Sequence, residues 1–298
     1  MKAWKHALFI TREGLASHAL AEDLGQLVGF AATNVGSAQE ALECLQEVSH
    51  FSMVVIDQTL AEGESQRLVE SIKGLHKRLP IVWLSENNEP DKFGKYSPDV
   101  FLASDVIGPV FLVKTQDVVN VNAYPDKLVQ VLTSAPNAII SQTLQTPVLS
   151  TEACLKYSES LHGDLCAMIS FFSNRSYGMV VLNGRLDELA EICVDNELLD
   201  EQPDRYDVCD VAGEIVNQII GIIGRDLEDI VGKTDVNIPT SFFGENISMA
   251  YNHRDPTLSV RVDHQYGTLW IDFVFLSLQI TDQELEGKFL DSGEIEFF

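Results

Sequence analysis

The first 85 positions carry two alternating hydrophobic patterns. Short runs at 7–10, 53–56 and 81–84 are nearly all apolar, and 30–35 is extended and mixed. Runs of this length predict strands, with the apolar ones buried on both faces. Between them, apolar residues return at helical spacing. Residues 14–28 carry Leu15, Ala19, Leu20, Leu24 and Leu27. The stretch after Ser37 carries Ala41, Leu42, Leu45 and Val48, and 68–75 form a third helix. Ser37 followed three residues later by Glu40 reads as a capping box. Strand and helix in strict alternation predict a doubly wound parallel sheet of the flavodoxin-like α/β type. Beyond 85, Asn87, Asn88, Pro90, Pro98, Gly108 and Pro109 break the pattern. A fifth strand lies either at 100–103 (VFLA) or within 109–115 (PVFLVKT). The domain boundary is placed at 117/118, within TQDVVNVNA, giving a first domain of residues 1–117.

The second half has a different rhythm. Pro125 opens a helix whose stripe is Leu128, Val129, Leu132, Ile139 and Ile140, with Pro136 as a point of interruption. Residues 148–156 read as a strand. Residues 164–172 and 177–182 read as a hairpin turning at SNRS. Helices follow at 185–194 and 207–224, separated by a polar, Pro-containing loop. The segment 238–244 (IPTSFFG) and strands at 258–263 and 269–278, turning at Tyr266-Gly267, complete the pattern. This predicts an α+β domain with a mostly antiparallel sheet over 118–298. It ends in an acidic tail of about 281–298 that closes on two Phe.

The totals narrow the choice of partner. The chain has 298 residues, 45% of them hydrophobic and 22% charged, which suits two globular domains. A net charge of −25 opposes nucleic acid and anionic membrane surfaces as partners. Apolar runs stay short of a membrane span. Five cysteines without a Cys-x-x-Cys spacing read as reduced core residues of a cytoplasmic protein. The seven histidines lack metal-ligand spacing, so no metal or other cofactor of its own is expected.

Two stretches carry candidate chemistry. In SMVVIDQTLAEGES, Asp57 ends the third predicted strand, and Ser85 ends the fourth. Ligands in such sheets gather at the carboxyl ends of strands. This stretch resembles a response-regulator receiver domain. The resemblance implies that Asp57 occupies the phosphoacceptor position and Ser85 the position of the family's small hydroxyl residue. The sequence departs from the family after the first strand. Thr11 and Arg12 stand where receivers carry the acidic pair that holds Mg²⁺, with only Glu13 following. A clear counterpart of the family's fifth-strand Lys is also missing, Lys114 being the candidate. These departures point to a degenerate receiver, with Asp57 either an acceptor, a relic, or a contact for a partner.

The second stretch is DVAGEIVNQIIG, residues 210–221. Wound as a helix, it gathers Val208, Val211, Ile215, Ile219 and Ile222 on one side. Asp210, Glu214, Asn217 and Gly221 fall on the other, with Gly213 beside them. A carboxylate and a carboxamide thus project together, three residues apart. Most such pairs are solvated surface. A helix pressed against a partner's active site would also need both. The order of elements around it is a hairpin, a helix, the Glu-x-x-Asn helix, Pro239 to Gly244, and a last hairpin. That order resembles the CheC/CheX family of chemotaxis phosphatases over roughly residues 120–280, and CheX most, because only one such helix is present.

The resemblance implies dephosphorylation of a phosphorylated CheY-like response regulator. Asn217 would orient water and Glu214 would dock on the receiver's Lys. Gly213 and Gly221 would keep the flanks low for a partner backbone, with Asp210 supporting. Mg²⁺ would belong to the substrate receiver, and the protein would form a homodimer. The alternative is a module that binds a receiver or motor component without catalysis, regulated by the receiver-like half.

Overall fold

The computed structural model describes residues 5–27, 30–47, 51–60, 65–85, 93, 96–119, 124–157, 161–245, 247–249 and 256–278. The acidic tail lies outside them.

The first half runs β1 (Lys5–Ile10), α1 (Ala16–Gly25), β2 (Phe30–Val35), α2 (Ala38–Glu47), β3 (Met53–Asp57), α3 (Ser65–Leu75), β4 (Ile81–Leu84), β5 (Val100–Leu102) and α4 (Gly108–Val119). Its five strands are parallel, in the order β2-β1-β3-β4-β5. Every residue of β3 and β4 is buried, as strands covered on both faces must be. At α2, Ser37 Oγ accepts the Glu40 amide at 3.2 Å, while the Glu40 carboxylate reaches the Gly36 amide at 2.8 Å. The cap therefore forms, shifted by one residue from the usual box. VFLA supplies the fifth strand. PVFLVKT is helix α4, where Pro109 sits in the first turn and costs no intrahelical bond. Lys114 thus stands exposed on a helix, away from the strand end. The boundary expected at 117/118 falls inside the last turn of α4, because that helix continues to Val119.

The second half begins with α5 (Asp126–Thr143) and continues β6 (Val148–Lys156), β7 (Leu165–Phe172), β8 (Ser176–Gly184), α6 (Leu186–Asp195), α7 (Arg205–Asp226), α8 (Glu228–Val231), β9 (Asp235–Val236), β10 (Thr240–Phe243), β11 (Thr257–His264) and β12 (Gly267–Leu278). The sheet is antiparallel, in the order β10-β7-β8-β12-β11-β6, with β9 paired to the end of β7. α5 runs through Pro136 without a break. One backbone bond is lost there. The buried stripe of Leu128, Leu132 and Ile140 packs on α7, β6 and β11 and holds the helix across the gap.

α5 and α7 lie side by side on one face of this sheet, α7 over β7 and β8, and α5 over β6 and β11. The opposite face has a small apolar cluster of Leu161, Cys166 and Val181. It also holds a buried ion pair, Lys156 Nζ to Asp272 Oδ2 at 2.7 Å. The two halves meet at β6. Ser52, just before β3, donates its hydroxyl to the Leu155 carbonyl at 2.8 Å, and one continuous hydrophobic core spans both sheets.

Candidate functional site

The start of α7 is set by its cap. The Asp204 carboxylate accepts the backbone N–H groups of Tyr206 at 2.7 Å and Asp207 at 3.0 Å. The Asp207 carboxylate returns to the Asp204 amide at 3.0 Å. This reciprocal pair starts the helix at Arg205, two residues earlier than the hydrophobic pattern alone indicates. Val208, Ala212, Ile215, Val216, Ile219 and Ile223 are buried. Each large one contributes on the order of 1.5–3 kcal/mol by leaving water, which fixes the helix's rotation on the sheet. Val211 and Ile222, expected on the packed side, lie at its margins and are half-buried.

With rotation fixed, Asp210, Glu214, Asn217 and Gly221 are all exposed. The Glu214 carboxylate accepts the Gln218 side-chain amide through Oε1 at 2.7 Å. The Asn217 carboxamide has no hydrogen-bond partner among the described residues. A Cβ on Gly221 would meet no atom within 4 Å, so the surface beside the pair is open there. Gly213 differs from the expectation. It is buried, and a Cβ there would lie 3.5 Å from Pro239 Cβ and 4.0 Å from Ser241 Oγ. Its small size serves the packing of the Pro239–Ser241 segment of its own chain, since the apolar stripe turns position 213 toward β10. Ser241 completes that contact by donating to the Cys209 carbonyl at 3.2 Å.

The rim is apolar on one side and acidic along the helix. Ile238 is 87% exposed, Tyr206 and Phe243 meet edge to face at 5.9 Å, and the Arg205 guanidinium lies 4.5 Å above the Phe243 ring. Asp204, Asp207, Asp210 and Glu214 are all solvent-facing, so the helix presents negative potential to a cationic group. Burial, and next the Asp210 charge, raise the pKa of the Cys209 thiol, which stays protonated beside the pair. Burial pushes the Cys154 and Cys166 thiols up to about 12. These thiols are not poised as nucleophiles.

The receiver-like site is built differently. Asp57 is buried. Its Oδ1 accepts the Thr59 amide at 2.9 Å and the Thr59 hydroxyl at 2.7 Å, and its Oδ2 accepts the Ser17 hydroxyl. Ser17 in turn pairs with Thr11 at 2.5 Å. Neutral hydroxyls therefore fill the space around the carboxylate. Thr11 and Arg12 cannot supply the anionic oxygens that a Mg²⁺ site requires. Ser85 is buried directly after β4. Sequence reasoning did not single out Ser17, Thr59 or Gln218. Thr59 was findable, because Asp-x-Thr is a local turn signal. Ser17 and Gln218 carry no such signal.

Parts of the chain are similar to solved chemotaxis proteins. A CheX from Desulfovibrio desulfuricans aligns over 49% of this chain and 97% of its own, at 17% identity and a TM-score of 0.44. A CheX–CheY complex with BeF3 and Mg²⁺ from Borrelia burgdorferi aligns over 49% of this chain and 96% of the matched chain, at 13% identity and 0.41. The receiver domain of a sensor histidine kinase from Pseudomonas aeruginosa aligns over 40% and 99%, at 15% identity and 0.35. No protein-family model matches the chain, and no curated protein matches it in sequence. Among the described residues, no helix is long and apolar enough to cross a membrane, and no group of three or more His, Cys, Asp or Glu is placed to hold a metal ion.

Proposed function

We propose that this protein acts in two-component signalling of the chemotaxis type, and that α7 hydrolyses the aspartyl phosphate of a CheY-like receiver. The observation that carries this reading is the exposed pair on α7, with Asn217 uncommitted and Glu214 held beside it. A phosphorylated receiver brings its own Mg²⁺ and leaving group. What it lacks is an oriented water. The Asn217 carboxamide offers both a donor and an acceptor, so it can hold water in line with phosphorus without repelling the phosphoryl oxygens. Water oxygen bonds to phosphorus as the acyl-phosphate P–O bond breaks. Free aspartate and inorganic phosphate result, and the water's proton passes to the phosphate. Glu214 pairs with the receiver's Lys and sets the docking angle.

The expected result is that Asn217→Ala melts like wild type yet loses roughly a hundredfold to a thousandfold in phosphate release from a labelled phospho-receiver. Matching rates for variant and wild type would overturn the assignment. Stable complex formation without turnover would favour a receiver-binding module. The N-terminal half acts as an input or docking unit in this reading and not as a phosphoacceptor, because hydroxyls already engage both oxygens of Asp57. The homodimer expected from the resemblance would use the β10 edge of the antiparallel sheet, since Ser52 occupies β6 at Leu155.

A further inference from the structure

Glu214 is the last of three members of a hydrogen-bonded relay. The Thr143 hydroxyl, on the last residue of α5, donates to Gln218 Oε1 at 2.9 Å, and Gln218 Nε2 donates to Glu214 Oε1 at 2.7 Å. Gln218 is half-buried between the two helices, and Glu214 is exposed. The direction of the relay follows from the chemistry of its ends. A carboxylate only accepts, so Gln218 must present its NH₂ to Glu214. That leaves its carbonyl for Thr143, whose hydroxyl can donate. The Glu214 carboxylate therefore selects one of the two flip states of the Gln218 amide, and the Thr143 hydroxyl anchors the amide in that state. A flipped amide would set a carbonyl oxygen against the carboxylate.

We propose that Gln218 and Thr143 are positioning residues for Glu214, holding one carboxylate oxygen so that the other is presented to a cation on the docking receiver. An unheld Glu on an exposed helix samples several rotamers and gives up that freedom when it docks. The relay has already removed most of it. α5 thereby contributes to a site whose reacting groups all lie on α7. This inference rests on the phosphatase reading, and its test separates the two.

The experiment measures steady-state hydrolysis of a phospho-receiver by wild type, Gln218→Ala, Thr143→Val, Thr143→Ser and the Gln218→Ala/Thr143→Val double variant, with melting temperature as the fold control. A positioning role raises KM roughly fivefold to tenfold in Gln218→Ala and less in Thr143→Val, with kcat within about twofold. The double variant should be no worse than Gln218→Ala, because both changes cut one relay. Thr143→Ser keeps the hydroxyl and restores the wild-type KM. Unchanged KM in both single variants that melt like wild type would overturn the inference, even if Asn217→Ala is inactive. If wild type itself fails to hydrolyse, the phosphatase reading falls, and Kd for the receiver loaded with beryllium trifluoride becomes the readout. The same ranking of variants in Kd then sustains the relay, and equal or absent binding overturns it.

Discussion

Asn217 and Glu214 are neighbours on one helix and differ in what holds them. Glu214 is tethered to a second helix, and Asn217 is left to whatever arrives. Under the proposed function, Glu214 as a docking charge benefits from being held before the encounter, and Asn217 as a water-orienting amide must stay available. The opposite extreme is Lys156 with Asp272, both 1% exposed on the far face of the sheet. Asp272 also accepts the Ser259 hydroxyl at 2.5 Å, so both of its oxygens are engaged. Removing one partner strands a charge away from water. Lys156→Met should cost about 3–5 kcal/mol in urea unfolding, and Lys156→Met/Asp272→Asn should recover part of that loss. A double variant less stable than the single would show that the pair contributes more than mutual neutralisation.

At the scale of elements, α7 is placed by a cap, a stripe and a neighbour. The cap can be tested alone. Asp204→Ala should lower stability by about 1 kcal/mol and leave the rotation of the helix unchanged, since the buried stripe sets rotation. Under the proposed function the variant should therefore retain receiver turnover at a temperature well below its melting point, and a large loss of activity in a folded Asp204→Ala would mean that the cap also shapes the site. The stripe and the Glu/Asn face were legible in the sequence because helical period forces them apart. The start at Arg205 was less legible. It depends on an Asp at the third helical position closing the box, where Glu or Gln is the usual signal. PVFLVKT shows the limit of short apolar runs, which periodicity cannot divide between helix and strand.

For the molecule as a whole, the seam between the halves contributes to how stability responds to acid. His6 lies there. Its amide donates to Ser52 Oγ at 3.3 Å, its ring sits 4.5 Å from Phe51, and Nε2 pairs with Thr33 Oγ1 at 2.7 Å. Burial lowers its pKa from 6.5 to about 4. Between these values the unfolded chain binds the proton and the folded chain does not. The stability from keeping His6 neutral is therefore full above pH 6.5 and is lost as pH falls toward 4. His6→Gln should show a shallower decline of melting temperature than wild type across that window. Identical slopes would remove His6 as the titrating group.

By itself, the sequence determined the strand and helix alternation of the first half, the antiparallel character of the second, and the two faces of α7. All of these follow from local period and turn chemistry, which each segment carries with it. Tertiary structure alone decided that hydroxyls from Ser17 and Thr59 surround Asp57, that Gly213 receives Pro239, and that Thr143, 75 residues from Gln218, fixes the amide that holds Glu214. The Ser17, Pro239 and Thr143 contacts join residues far apart in the chain, and a pattern read along one segment has no term for them. Thr59 was within local reach, but what its hydroxyl does depends on how Asp57 is buried.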